Sequence, residues 1–447
     1  MANRSRSWLY RPRDAEELLA SLADAAERGL SITARGGGLS YGDAALNQGG
    51  AVVDVTALRR VLDFDPAEGR IRVEAGATIE ELWRYTLPYG WWPAVVPGSM
   101  RATVGGCVAM NVHGKNHARA GALGRHVLEV RVATPDGAMR TVRSGQEAEP
   151  EGPRLRDVVG AQGLTGTVAD ATLTLQRVHS GYLAVTVEPS GSLVETFEAL
   201  DRGARDADYT VAWIDCTGSR AGRGVLHHAS YLPPAHPLAG RGLGVAEQRL
   251  PLRVAGVLPR RHAWRVLRAF MNRPGIGVLN AGRYGVARLR GRARYHQTHA
   301  AFHFLLDYVP EWKRAYGPHG LIQYQLFAPA ASAREAFAEA LRLQRRFGTP
   351  SYLGVMKRHT AEDSAAGYCL DGYSLALDFP VGRGARYVTL MRLCRALDAV
   401  QREHGGRIYA AKDAVSVGEL PRRRHPLFSS NLVRRWERGI RERGRRG

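Results

Sequence analysis

No apolar run in the 447 residues reaches the roughly 18 needed to cross a bilayer. The opening stretch Met1-Ala-Asn-Arg-Ser-Arg-Ser-Trp8 has no apolar core of the kind a secretory signal carries, so a cytoplasmic protein is expected. Cysteine is also scarce. Cys107, Cys216, Cys369 and Cys394 stand at no metal or redox spacing, which predicts free thiols in a reducing compartment and no metal site. Lysine is equally scarce: only Lys115, Lys313, Lys357 and Lys412 occur among 63 basic residues. Where any cation would serve, this chain uses arginine. Each lysine therefore raises the question of why a compact charge with a movable pKa is wanted there.

Acidic residues number 42 against those 63, a formal charge of +21. Such an excess suits nucleic acid or an anionic membrane surface, and it also fits an arginine-rich composition with no partner implied. No helix-turn-helix, zinc or RNA-binding signature accompanies it, so a nucleic-acid-binding function rests on charge alone.

The length exceeds one ordinary core, and two domains are expected. Residues 14–29 place Ala15, Leu18, Leu19, Leu22 and Ala25 on one face of a helix. Strands are predicted at 30–34, 51–55, 71–75, 127–133 and 173–178, with a helix from Thr78 to about Pro88. From Tyr182-Leu-Ala-Val-Thr-Val-Glu188 the style changes, and further strands follow at 320–327, 352–357 and 374–379. Helices are expected at 332–347 and 385–404. Residues 217–257, rich in Gly, Pro, His and Arg with little periodicity, read as a mobile loop or lid. In the tail, Leu432, Trp436 and Ile440 fall at helical spacing among arginines. That pattern suits either an interfacial helix on anionic lipid or a solvated helix packed by its apolar residues.

Two glycine-rich stretches carry the chemistry. Arg35-Gly-Gly-Gly-Leu-Ser-Tyr-Gly-Asp43 follows a short strand and offers backbone N–H groups to a phosphate. It is neither a Rossmann fingerprint nor a P-loop. Thr103-Val-Gly-Gly106 leads into Asn111-Val-His-Gly-Lys-Asn-His117, where two imidazoles, an ammonium and two amides surround a glycine. Glycines allow the backbone to lie against a ligand, and the polar cluster needs partners. The two stretches predict opposite walls of a polar cofactor.

With Pro97-Gly-Ser99, Gly163-Leu-Thr-Gly166, Tyr316-Gly-Pro318, Gln323-Tyr-Gln325, Asp378-Phe-Pro380, Gly405-Gly-Arg-Ile-Tyr409 and Ala411-Lys-Asp413, these stretches resemble the decaprenylphosphoryl-β-D-ribose 2-oxidase family. That family lies within the vanillyl-alcohol-oxidase-type flavoproteins, and the resemblance runs in order from about residue 10 to about residue 430. It implies an α+β fold. A two-lobed FAD-binding domain (1–178) would be followed by a substrate domain on an antiparallel sheet with helices (179–405). Residues 406–447 would return to the FAD domain.

It also implies FAD contacts at Ala34, Arg35, Gly36, Gly37, Gly38, Leu39, Ser40, Tyr41, Gly42 and Asp43 in the first loop. Gly98, Thr103, Val104, Gly105, Gly106, Met110, Asn111, Val112, His113, Gly114, Asn116 and His117 would form the second wall, with Val168 and Tyr409 completing the site. Relatives that tether FAD place histidine where Leu39 stands, so noncovalent FAD is expected.

A flavin oxidising a secondary alcohol needs a group to take the hydroxyl proton and positive charge near the ring. The resemblance puts Lys412 in that place, with Tyr41 beside the same reaction centre and His113 at the flavin edge or the sugar. Gln323 and Gln325 alternate on a strand and share a face, with Tyr324 opposite. The resemblance turns that face to the cavity, with Tyr316 and Lys357 nearby and Lys357 suited to a phosphate or hydroxyl. The family pattern has asparagine where Ser374 stands and cysteine where Ala376 stands, so the substrate itself is open.

The expected reaction is oxidation of the ribose 2-hydroxyl of a polyprenylphosphoryl ribose, the first half of an epimerisation to arabinose, with a reductase partner completing it. Another sugar, alditol or nucleoside is the alternative. A glycolipid substrate would call for peripheral contact with the inner face of the membrane. The 217–257 segment, with Arg220, Arg223, Leu226, Tyr231, Leu232, Leu238, Arg241 and Leu243, has the composition for it.

Overall fold

The computed structural model describes residues 4–145, 152–254, 257–363, 365 and 367–444. Asp14 accepts the backbone N–H of Glu17 at 2.8 Å and so starts the helix Ala15–Glu27, whose predicted face buries Leu18, Leu22 and Ala25. That helix covers a small parallel sheet in which Ala51–Asp54 lies between Trp8–Tyr10 and Ile32–Arg35. The strand Ile32–Arg35 delivers Gly36–Gly38 directly from its C-terminal end. A capping box between Thr78 and Glu81 opens the helix Ile79–Thr86.

The second lobe of this half is an antiparallel sheet of Val61–Asp65, Arg70–Glu74, Thr167–Arg177, Val127–Ala133 and Met139–Arg143, with Trp91–Pro93 added beside Thr167–Arg177.

A seven-stranded antiparallel sheet forms the other half. Its order is Ala293–Thr298, Tyr182–Ser190, Gly224–Tyr231, Tyr209–Ile214, Leu353–His359, Gly372–Pro380, Leu321–Pro329. Helices Leu193–Asp206, Ala333–Arg346 and Ala385–Glu403 bury Phe197, Phe337 and Leu393 against Leu326, Leu375 and Leu377 on one face. The alternating residues of the same strands face the opposite way, toward the first half. This is the α+β arrangement expected, with an antiparallel substrate sheet.

One expectation is corrected. The stretch 217–257 is not a loop throughout: Gly224–Tyr231 is a strand inside the sheet, with Val225, Leu226 and Ala229 buried. Histidines 227 and 228 disguised it by occupying strand positions, His227 facing the cavity. Arg223 and Leu232 are likewise not lid residues. Arg223 is buried in an ion pair with Asp215 at 2.8 Å, and Leu232 is core.

Of the two readings of the tail, the packed helix is the one seen: Asn431–Gly444 docks on the FAD lobe. Leu432, Val433 and Trp436 are buried, and the Trp436 indole donates to Asp413 at 2.7 Å. Arg435 joins Asp43 at 2.9 Å to Asp413 at 3.0 Å. The chain reaches this helix from the substrate sheet through 406–430. Phe428 bridges Ile32, and Tyr41 donates its N–H to the Ala411 carbonyl at 2.8 Å.

Candidate active site

One cavity of about 890 Å³ runs between the glycine loops and the seven-stranded sheet. At one end it is walled by Ala34, Gly36, Gly37, Gly38, Leu39, Ser40, Gly98, Thr103, Gly105, Gly106, Met110, Val112 and Val168. The two loops touch. A Cβ on Gly36 would fall 2.0 Å from Thr103 Oγ1, and one on Gly105 2.6 Å from the Ala75 Cβ, so neither position accepts a side chain. The Thr103 hydroxyl is buried and, among the described residues, has no hydrogen-bond partner. A bare-backbone cradle with an unspent hydroxyl fits the pyrophosphate and ring of FAD. Cys107 also lines this end, but burial pushes its thiol up to about 12, which leaves it a poor nucleophile.

The middle of the cavity gathers the predicted chemistry. Lys412 stands over the Tyr41 ring, its Nζ 3.8 Å from the centroid. Burial lowers its pKa, Lys357 and Lys313 lower it further, and Asp378 opposes them. Tyr41 is held as a phenol, its pKa raised by burial and then by Asp378.

His113 is buried, and burial followed by the Lys357 charge keeps it neutral. Lys357 Nζ lies 3.4 Å from its Nδ1, and the Gln325 amide nitrogen lies 3.5 Å from its Nε2. Gln323, Gln325, Lys357, Tyr316, Tyr409 and Ser374 all line the cavity, while Tyr324 points away to Asp398. The amide oxygens of Gln323 and Gln325 have no partner among the described residues. The Ser374 hydroxyl is engaged by His359 at 2.7 Å, so Ser374 shapes the wall more than it reads a ligand.

Several expected cofactor residues hold the site from behind instead. Asp43 is spent on Arg435, and Gly42 lies under the Asp413 carbonyl, where a Cβ would come within 1.7 Å. Arg35 folds back over Gly38. Val104 is wholly core. Asn111, at φ 43°, accepts from the Gly124 N–H at 2.7 Å, and its carbonyl receives the Tyr368 hydroxyl. Gly114 packs on Asn116, whose amide donates to the Ala94 carbonyl at 2.8 Å. His117 takes the Thr360 N–H and packs at a tilt against His359. A short polar residue beside a glycine reads the same in sequence whether it faces the ligand or fastens the loop.

Three features were not anticipated. Asp378, quoted only as part of a motif, is buried behind the cavity wall, where it accepts from the Gln323 amide and, at 3.4 Å, from the Tyr316 hydroxyl; burial raises its pKa. Lys115 lines the cavity, donates to the Phe302 carbonyl and lies 4.3 Å from that ring, with a pKa lowered to about 7 by burial. Another part of the cavity is mainly apolar, lined by Trp213, Leu267, Met271, Ile276 and Leu279, with Arg283 among them. Most of this part comes from the helices Arg260–Phe270 and Arg273–Arg290, whose apolar positions are obscured by arginine and glycine.

A family model described as an FAD binding domain matches residues 7–143. A decaprenylphosphoryl-beta-D-ribose oxidase of Mycolicibacterium smegmatis is 32% identical over 416 residues, 91% of this chain and 86% of that protein. The chain belongs to the decaprenylphosphoryl-β-D-ribose oxidase family. An uncharacterized protein of Streptomyces coelicolor is 30% identical over 78% of this chain and 93% of its own. An L-gulono-1,4-lactone dehydrogenase of Mycobacterium tuberculosis is 23% identical over 94% of this chain and 90% of its own. As a member of this family the protein is an FAD-dependent oxidoreductase acting on CH–OH groups. FAD belongs at the glycine-loop end, where it supplies the two-electron oxidant.

Proposed function

We propose that the protein oxidises the 2-hydroxyl of a polyprenylphosphoryl-β-D-ribose to the 2-keto form, opening an epimerisation that a separate reductase completes. The observation that carries this reading is the set of groups that one cavity brings together: a glycine cradle, Lys412 with Tyr41, two amides, two lysines and an apolar compartment. A sugar, a phosphate and a lipid tail call for those same groups. Gln323 and Gln325 have free amide oxygens for sugar hydroxyls. Lys357 and Lys115 supply compact charge for the phosphate. Lys412, with its lowered pKa, takes the hydroxyl proton, since a neutral amine can accept one and an ordinary lysine cannot. Asp378 holds Gln323 and Tyr316 in place, which orients the sugar side of the site.

A second reading is oxidation of another sugar or alditol. It is favoured by Ala376, which lines the cavity with no polar group, and by Ser374, whose hydroxyl is occupied by His359. A panel of polyprenylphosphoryl ribose, free pentoses and alditols, scored by anaerobic loss of flavin colour, separates the two. Selective bleaching by the phospholipid sugar supports the first, and bleaching by free sugars alone supports the second.

A further inference from the structure

The helices Arg260–Phe270 and Arg273–Arg290, which line the cavity with apolar side chains, also carry a strongly basic surface. Between Glu247 and Asp307 the chain has twelve arginines and no aspartate or glutamate. Among the described residues only Arg292 of these pairs with a carboxylate, Glu188 at 3.8 Å. In Arg273–Arg290, Ile276, Asn280 and Ala287 turn inward and are buried. The opposite stripe carries Val278, Val286 and Leu289, exposed by 64%, 51% and 89%. Arg260–Phe270 repeats the pattern: Leu267 and Met271 line the cavity, while Val266 and Phe270 are exposed among Arg261, Arg265 and Arg268. Leu252 and Val257 just before it are exposed by 84% and 76%. Large apolar side chains exposed in such numbers along one stretch of chain mark a surface that leaves water in use.

We infer that this helix pair is a docking surface for an anionic lipid bilayer. Arginines without acidic partners are drawn to anionic headgroups, and a stripe of valine and leucine enters the acyl boundary. Nucleic acid would use the arginines and leave Val278, Val286 and Leu289 in water. Among the described residues no helix is long and apolar enough to cross a membrane, so the contact is peripheral. The inference rests on the polyprenyl reading only for the path of the tail: Leu267, Met271, Ile276 and Leu279 would carry it from the cavity toward the bilayer. The docking itself stands on charge and exposure.

The test is sedimentation of the FAD-loaded protein with vesicles of phosphatidylcholine containing phosphatidylglycerol, against phosphatidylcholine alone. The wild type should sediment with the anionic vesicles only, and added salt should release it. Replacing Arg288 and Arg290 by alanine should weaken partitioning roughly tenfold or more. Leu289→Glu with Val278→Glu should abolish it, while the flavin spectrum and anaerobic bleaching by a short-chain, water-soluble substrate stay at wild-type values. Should those glutamates disturb folding, Leu289→Trp reports instead: the fluorescence of the introduced indole should be quenched by brominated acyl chains in anionic vesicles. Wild type that ignores anionic vesicles, glutamate variants that sediment like wild type, or a Leu289→Trp variant whose fluorescence stays unquenched would overturn the docking surface. Retardation of DNA without vesicle binding would assign the arginines to nucleic acid. Vesicle binding without bleaching by any polyprenylphosphoryl sugar would leave the docking surface standing and remove the substrate reading.

Discussion

The Lys412 ammonium lies 3.8 Å from the centroid of the Tyr41 ring, and the backbone of Tyr41 is itself bonded to Ala411. The first loop and the returning C-terminal segment thus meet at the reaction centre. Their lowered lysine and raised tyrosine pKa values come from shared burial, with Asp378 acting on both.

Lys412→Ala should therefore retain FAD but slow anaerobic flavin reduction by about 10²-fold or more, the scale of a placed proton-transfer group. Lys412→Arg should fail as well, because guanidinium keeps charge but gives up no proton. Rapid-mixing absorbance measures both. Near wild-type rates in Lys412→Ala would return Lys412 to a structural role.

Lys357 gives a pH dependence of known sign. Burial lowers it to about 8, so it is charged below that value and neutral above. KM for a phosphorylated substrate should be flat below the pKa and rise as pH passes through about 8. A phosphate-free sugar should show no such limb. Lys357→Gln should raise KM for the phosphorylated substrate roughly tenfold or more and remove the limb.

Flavin attachment is decided by what faces the ring. Leu39 stands where a tethering histidine would be, and Cys107 is held protonated by burial. Acid precipitation should release all FAD into the supernatant. Fluorescence remaining on the polypeptide in a denaturing gel would contradict this.

Arg435 closes the C-terminal helix onto two acids, Asp43 and Asp413, both nearly out of solvent. Arg435→Ala strands both charges and should cost about 3 kcal/mol in denaturant unfolding, with easier loss of FAD. A loss below about 1 kcal/mol would show that the helix is held by Leu432, Val433 and Trp436 alone.

Much of the fold was legible because its signals are local. Val127–Ala133 alternates plainly, and Gln323 and Gln325 lie two apart on one strand. The glycine loops announce a close backbone approach. What was missed depends on tertiary contacts. Asp43, Asn116 and His117 look like ligands in sequence, but their partners, Arg435, Ala94 and Thr360, lie far along the chain or in another element. The strand Gly224–Tyr231 was hidden because His227, which faces the cavity, and His228 interrupt its apolar run. The helix Arg273–Arg290 mixes arginine and glycine with apolar residues, so no single amphipathic stripe stands out in it.

The reaction itself is tested most directly by mixing the oxidised holoprotein, without oxygen, with polyprenylphosphoryl-β-D-ribose carrying deuterium at C2. Flavin colour should be lost, more slowly than with the unlabelled substrate, and the product should be the 2-keto sugar. Unchanged colour, or bleaching at the same rate with both isotopes and a product oxidised elsewhere on the ring, would contradict the proposed reaction.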